Sequence, residues 1–98
     1  MSQPTNSSKF AKAADLVQWF QQHHIFFNSD ISPDRSTVYT YSHHADQLLR
    51  LKFSTVGNTA DIYHIGGYDV VTINISQLNV TDSREKFDRQ LVKLLNQN

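Results

Sequence analysis

Histidine is over-represented in this chain, with five in 98 residues. Two pairs are adjacent, His23-His24 and His43-His44, and His64 stands alone. Neighbouring side chains point apart on a strand and about 100° apart on a helix, so neither pair is a chelate by itself. Metal ligands on one element sit at i, i+2 on a strand or at i, i+3 or i+4 on a helix. A metal site therefore requires His24, at the end of a helix, to meet His43 or His44 from a turn, with Asp46 beside them. The competing reading is ordinary solvated imidazoles, with His23 and His24 where a cation suits the helix dipole. The sequence assigns no metal and no cofactor.

Catalytic patterns are missing. The chain has no G-x-S-x-G elbow, no P-loop and no G-x-G-x-x-G. Gly66-Gly67 reads as a two-residue hairpin turn and not as a phosphate cradle. The one glutamate, Glu85, is accounted for as a helix-capping residue. Asp61 and Asp69 flank Gly66-Gly67 and could pair as acid and base, but solubilising turn residues explain them as well. No residue is assigned a catalytic role, and the chain reads as non-enzymatic.

The remaining candidates are cationic and aromatic. Arg50 and Lys52 are i, i+2 on an alternating stretch and share a face. Tyr39 and Tyr41 share a face with each other. If both pairs lie together, they form a basic aromatic platform of the kind that stacks single-stranded bases. If the tyrosines lie in the core instead, Val38 and Thr40 face out and the platform vanishes. Thr72 and Asn74 belong to the same outward parity as Arg50 and Lys52. These four are the candidate binding residues. Trp19 has two readings as well: the half-buried edge of a helical stripe with its indole N–H in water, or an anchor for a partner.

Several elements must position these residues. Ser8 reads as the N-cap of a helix running to about His24, with Phe10, Ala13, Ala14, Val17 and Phe20 at helical spacing. Asn28 to Ser36 is dense in turn formers, with Pro33-Asp34 as a type I turn. Thr37 to Ser42 reads as a strand, and His43 to Asp46 as its turn. Leu48 to Ser76 then alternates apolar and polar residues through three more strands, 48–55, 60–65 and 68–76. Ile25 to Asn28 is a candidate fifth strand. Asp82 and Glu85 form a capping-box pair that opens a closing helix to about Leu95, lined by Phe87, Leu91, Leu94 and Leu95.

This predicts an α+β domain over 1–98 with 1–7 frayed. A leading helix, an antiparallel meander of 4–5 strands and a closing helix make a two-layer sandwich, with both helices on one sheet face. That leaves one face wet.

The composition narrows the function classes. Nine basic and nine acidic residues cancel, which argues against a dedicated nucleic-acid binder. Cysteine is absent, so no disulfide or thiolate chemistry is available. No apolar run approaches the roughly 20 residues of a spanning helix. The start, MSQPTNSSKF, lacks a basic and then apolar leader, so the expected location is cytoplasmic, and three N-x-S/T sequons carry no weight. In composition alone, the chain resembles small orphan proteins of Gram-positive bacteria and their prophages. The expectation is a small accessory protein that binds another protein or itself. The alternative is single-stranded nucleic-acid binding by the open sheet face, and the second alternative is metal binding through histidine.

Overall fold

The computed structural model describes residues 9–97. The frayed start and the Ser8 cap expected from the sequence lie outside the described residues. The order is α1 (Ala13–Gln22), β1 (Thr37–His44), β2 (Gln47–Ser54), β3 (Thr59–His64), β4 (Val70–Asn74), a 3₁₀ turn (Ile75–Gln77) and α2 (Arg84–Asn96). The strands form one antiparallel sheet in the order β1-β2-β3-β4. This is the α+β sandwich that the alternation and the helical stripes require.

The helices cover one face. Leu49, Leu51 and Phe53 of β2 are buried together with Ala60 and Ile62 of β3, Val71 and Ile73 of β4, and Val38 of β1. The same cluster takes Leu16, Trp19 and Phe20 from α1, and Phe87, Leu91 and Leu95 from α2. Aromatic rings bind the two helices to each other and to the sheet. Phe20 lies 5.9 Å from Phe87 and 6.0 Å from Phe53, and Trp19 lies 4.7 Å from Phe87.

Trp19 is neither half buried nor an exposed anchor. It is 5% exposed, and its indole N–H donates to the Thr81 carbonyl at 3.0 Å. The ring's apolar body joins the core while its one donor finds a half-buried acceptor.

Helix α1 is shorter than its stripe predicts. Lys9 bridges Asn79, and the Phe10 N–H donates to the Leu78 carbonyl at 3.0 Å. These residues are therefore extended, and the helix opens after Lys12, whose side chain makes no cap. Phe10 still reaches the core, edge-on to Trp19 and Phe87. At the other end, Ile25 N–H reaches the Phe20 carbonyl and His24 N–H the Gln21 carbonyl. That pair is a Schellman cap, with His24 at φ 57 where glycine is usual.

Ile25 to Asn28 does not become a fifth strand. Only Asn28 bridges the sheet, through Tyr39. The following loop is tied by its own side chains. Arg35 N–H closes the Pro33-Asp34 turn on the Ser32 carbonyl, and the Asp34 carboxylate accepts from both Ser32 and Ser36 hydroxyls. Those bonds hold the Asp34 carboxyl below its usual range.

Two turns differ from expectation. The two-residue hairpin is Ala45-Asp46, closed by His44 and Gln47, with φ of 52° and 63°. Gly66-Gly67 instead lies inside a wider loop closed by His64 N–H on the Asp69 carbonyl, and only Gly66 takes positive φ. The N-cap of α2 is Ser83, whose hydroxyl accepts from Lys86 N–H. Asp82 pairs with the Lys86 ammonium at 3.0 Å and Glu85 with Arg89, so neither forms the capping box that their spacing suggests.

Candidate functional site

Strand parity decides which side chains face away from the helices. On β1, Val38, Thr40 and Ser42 are buried, which turns Tyr39, Tyr41 and His43 outward. On β2, the burial of Leu49, Leu51 and Phe53 turns Arg50 and Lys52 to the same side. Tyr39 and Tyr41 therefore lie beside Arg50 and Lys52, which the sequence left open. The core fills its aromatic volume from Trp19, Phe20 and Phe87 of the helices, with Phe10 and Phe53.

Register sorts this face into cross-strand rows. Tyr41, Arg50, Tyr63 and Val70 are successive partners across all four strands. Tyr39, Lys52, Asp61 and Thr72 form the next row. Thr59 and Asn74 pair in the row beyond. Arg50, Lys52, Thr72 and Asn74 thus share the open face, as their alternation requires.

Arg50 is the centre of the arrangement. Its guanidinium carbon lies 4.4 Å from the Tyr63 ring centre and 5.9 Å from that of Tyr39. Tyr39 and Tyr41 meet edge to face at 5.6 Å. A cation over aromatic faces is attracted by their quadrupoles. Among the described residues, no carboxylate pairs with Arg50, and its Nε is buried without a partner. Lys52 stands directly opposite Asp61, whose carboxylate accepts the Thr72 hydroxyl at 2.7 Å. The Asn74 N–H is held by the Gln77 side chain at 2.8 Å. Among the described residues no ion pair joins Lys52 to Asp61, so Arg50 and Lys52 are the members of the set with binding capacity to spare, and Thr72 and Asn74 are already engaged locally.

Ile62 and Tyr63 fall on opposite faces of their strand, so the sequence leaves either Tyr63 or His64 for the open face. The neighbour on β3 settles it: Ile62 is fully buried, so Tyr63 must face out. His64 falls on the helix-covered side, half buried under Gly67.

The histidines do not gather. Among the described residues, no three side chains of metal-ligating type come together. His43 and His44 take opposite faces of β1, and His23 stacks on Trp19 at 4.2 Å. His24 lines a groove of about 260 Å³ with Phe26, Tyr41 and Arg84, next to the β1 edge. Asp61 and Asp69 do not approach each other, since they oppose Thr72 and His64 at different positions along the hairpin.

One buried carboxylate escaped the sequence reading. Asp88 is 5% exposed, with Oδ2 3.7 Å from Arg84 Nε and Oδ1 buried without a hydrogen-bond partner. Burial pushes its carboxyl above the usual range. The nearby Ser42 hydroxyl, Arg84 and His44 pull it the other way. Its spacing three before Leu91 and seven before Leu95 placed it in the apolar stripe, which was the available signal. Ser42 is 3% exposed, so a substrate carbonyl has no approach to its hydroxyl.

Comparison of the chain with protein-family models, with curated proteins and with solved structures gives no match in any of the three. No helix among the described residues is long and apolar enough to cross a membrane.

Proposed function

We propose that this chain is a non-enzymatic protein-interaction module that docks a partner on the open face of its sheet. The observation that carries the reading is Arg50, set among Tyr39, Tyr41 and Tyr63 on a face that neither helix covers. Tyrosine and arginine are the residues that dominate binding energy at protein interfaces. Here they stand on rigid strands, so little side-chain freedom is lost on docking. The unpaired guanidinium fits a carboxylate of the partner, and the tyrosines fit the apolar side chains around it. Thr72 and Asn74 form the polar rim toward β4. The compositional resemblance supports an accessory role in a bacterium or its prophage, in the cytoplasm.

Quantitative affinity capture tests this reading, with wild type compared with Arg50→Ala, Tyr41→Ala and a distant control, Lys93→Ala. A partner held by wild type and by the control should be lost from both face variants. Equal retention by all four proteins would remove the open face from consideration.

A second reading has its own support. Two tyrosines beside Arg50 and Lys52 are what a single-strand stacking platform requires. Against it, Asp61 faces Lys52 and the whole chain carries no excess of positive charge. A gel shift with mixed oligonucleotides at low salt separates the two. Retardation that disappears in R50A/K52A favours nucleic acid, and no retardation leaves the protein reading alone.

A further inference from the structure

The two edges of the sheet are treated differently. On β1, the bond from Thr55 N–H to the Ser36 carbonyl sets the ladder's phase, so Thr37, Tyr39, Tyr41 and His43 turn their backbone groups outward. The first three each find a partner. Thr37 N–H donates to the Ser32 hydroxyl at 3.3 Å, Tyr39 exchanges two bonds of 2.9 Å with Asn28, and the Tyr41 carbonyl accepts from Arg84 at 3.2 Å.

On β4, the bonds from His64 N–H to the Asp69 carbonyl and from Ile75 N–H to the Asn58 carbonyl fix the phase in the same way. Val71 and Ile73 then face β3, and Val70, Thr72 and Asn74 turn outward. Asn74 N–H is taken by Gln77. Among the described residues, none bonds the outward N–H and C=O of Val70 or Thr72. The strand, VVTIN, carries no charge and no proline, the usual guards of an edge. Val70 is 49% exposed.

We propose that two copies of this chain join β4 to β4, antiparallel, with Val70 of each copy opposite Thr72 of the other. The pattern is self-complementary. Each of the two pairs exchanges an N–H and a C=O in both directions, so the four unmet groups of each copy are satisfied together. The contact is isologous and closes as a two-fold dimer. Pairing of β4 with the β1 edge of another copy would build an open-ended sheet, and Asn28, Ser32 and Arg84 obstruct it. Neither β4 nor the chain as a whole carries net charge that would repel the second copy. The proposal stands apart from docking on the open face, since it uses backbone groups along the rim.

Sedimentation equilibrium of the full chain, taken up to roughly 1 mM, reads it directly. Wild type should fit a monomer–dimer equilibrium. Thr72→Pro removes an N–H that faces away from β3, so the intramolecular ladder stays whole. Two of the four intermolecular bonds go, and at about fivefold per bond the dimer dissociation constant should rise about 25-fold. Should Thr72→Pro disturb the fold, V70K/T72K replaces two solvent-facing side chains and sets like charges opposite each other across the seam. It should sediment as a monomer with an unchanged circular dichroism spectrum. A wild type that stays monomeric throughout, or a dimer as tight in V70K/T72K as in wild type, overturns the proposal.

Discussion

Replacing Trp19 with phenylalanine separates a core tryptophan from an interaction anchor. The indole is the only one in the chain, is 5% exposed, and gives its N–H to the Thr81 carbonyl. Phenylalanine removes that bond and leaves Thr81 without its donor, a loss of about 1 kcal/mol. It also vacates roughly 40 Å³ between Phe10, Phe20 and Phe87, which at about 24 cal/mol per Å³ adds about 1 kcal/mol. The total is about 2 kcal/mol. With a denaturant slope of about 1–1.5 kcal/mol per M, the urea midpoint should fall by about 1.3–2 M. Far-UV circular dichroism is the suitable probe, because the variant has lost its tryptophan fluorescence. In wild type, that fluorescence should be blue-shifted and poorly quenched by iodide. A midpoint shift below about 0.5 M, or ready quenching, would refute the packing described for α1 and restore Trp19 as a surface anchor.

Phe20→Ala should cost about 3–5 kcal/mol, because Phe20 is fully buried among Trp19, Phe27, Phe53 and Phe87, and chemical denaturation measures it. Asp88→Asn should raise the melting temperature at pH 7 and leave it nearly unchanged at pH 3. A carboxyl whose folded pKa is raised favours the folded state below its unfolded value of 3.8 and loses that contribution as pH rises through the folded value. A less stable Asn variant at pH 7 would mean that the Arg84 pair outweighs burial. Ala45→Gly should stabilise by about 0.5–1 kcal/mol, since φ of 52° strains alanine and suits glycine, and thermal melts report it. Arg50→Ala should shift stability by no more than about 1 kcal/mol, the worth of a part-exposed cation over a ring, even though it is expected to abolish docking.

Period-two alternation made the sheet legible. Leu49, Leu51 and Phe53, like Val71 and Ile73, occupy the face their spacing assigns. The helices were legible as stripes and less so at their ends. Phe10 fits the α1 stripe by spacing, yet its amide is committed to Leu78, a contact 68 positions away that no local pattern encodes. The turns failed for a related reason. Glycine marks where positive φ is free, but Ala45 and Asp46 adopt it because the β1-β2 register demands a two-residue turn there. Arg50, Lys52, Thr72 and Asn74 were legible as members of one face. The place of Tyr39 and Tyr41 was not, because alternation gives parity within a strand and leaves parity between strands to the register. Asp88 was hidden by its type, since a carboxylate in an apolar stripe is ordinarily turned to water.

The strict parity of the four strands has a consequence for how this surface can change. Tyr39, Tyr41, Arg50, Lys52 and Thr72 each sit between buried neighbours on the same strand, yet none belongs to the buried cluster. On the docking role proposed above, recognition and folding are written on alternate letters of the same text. Under that proposal, substitutions on the open face would re-aim the chain toward a different partner while the intervening residues keep the scaffold intact, so the face would be open to retargeting, by drift or by design, one row at a time.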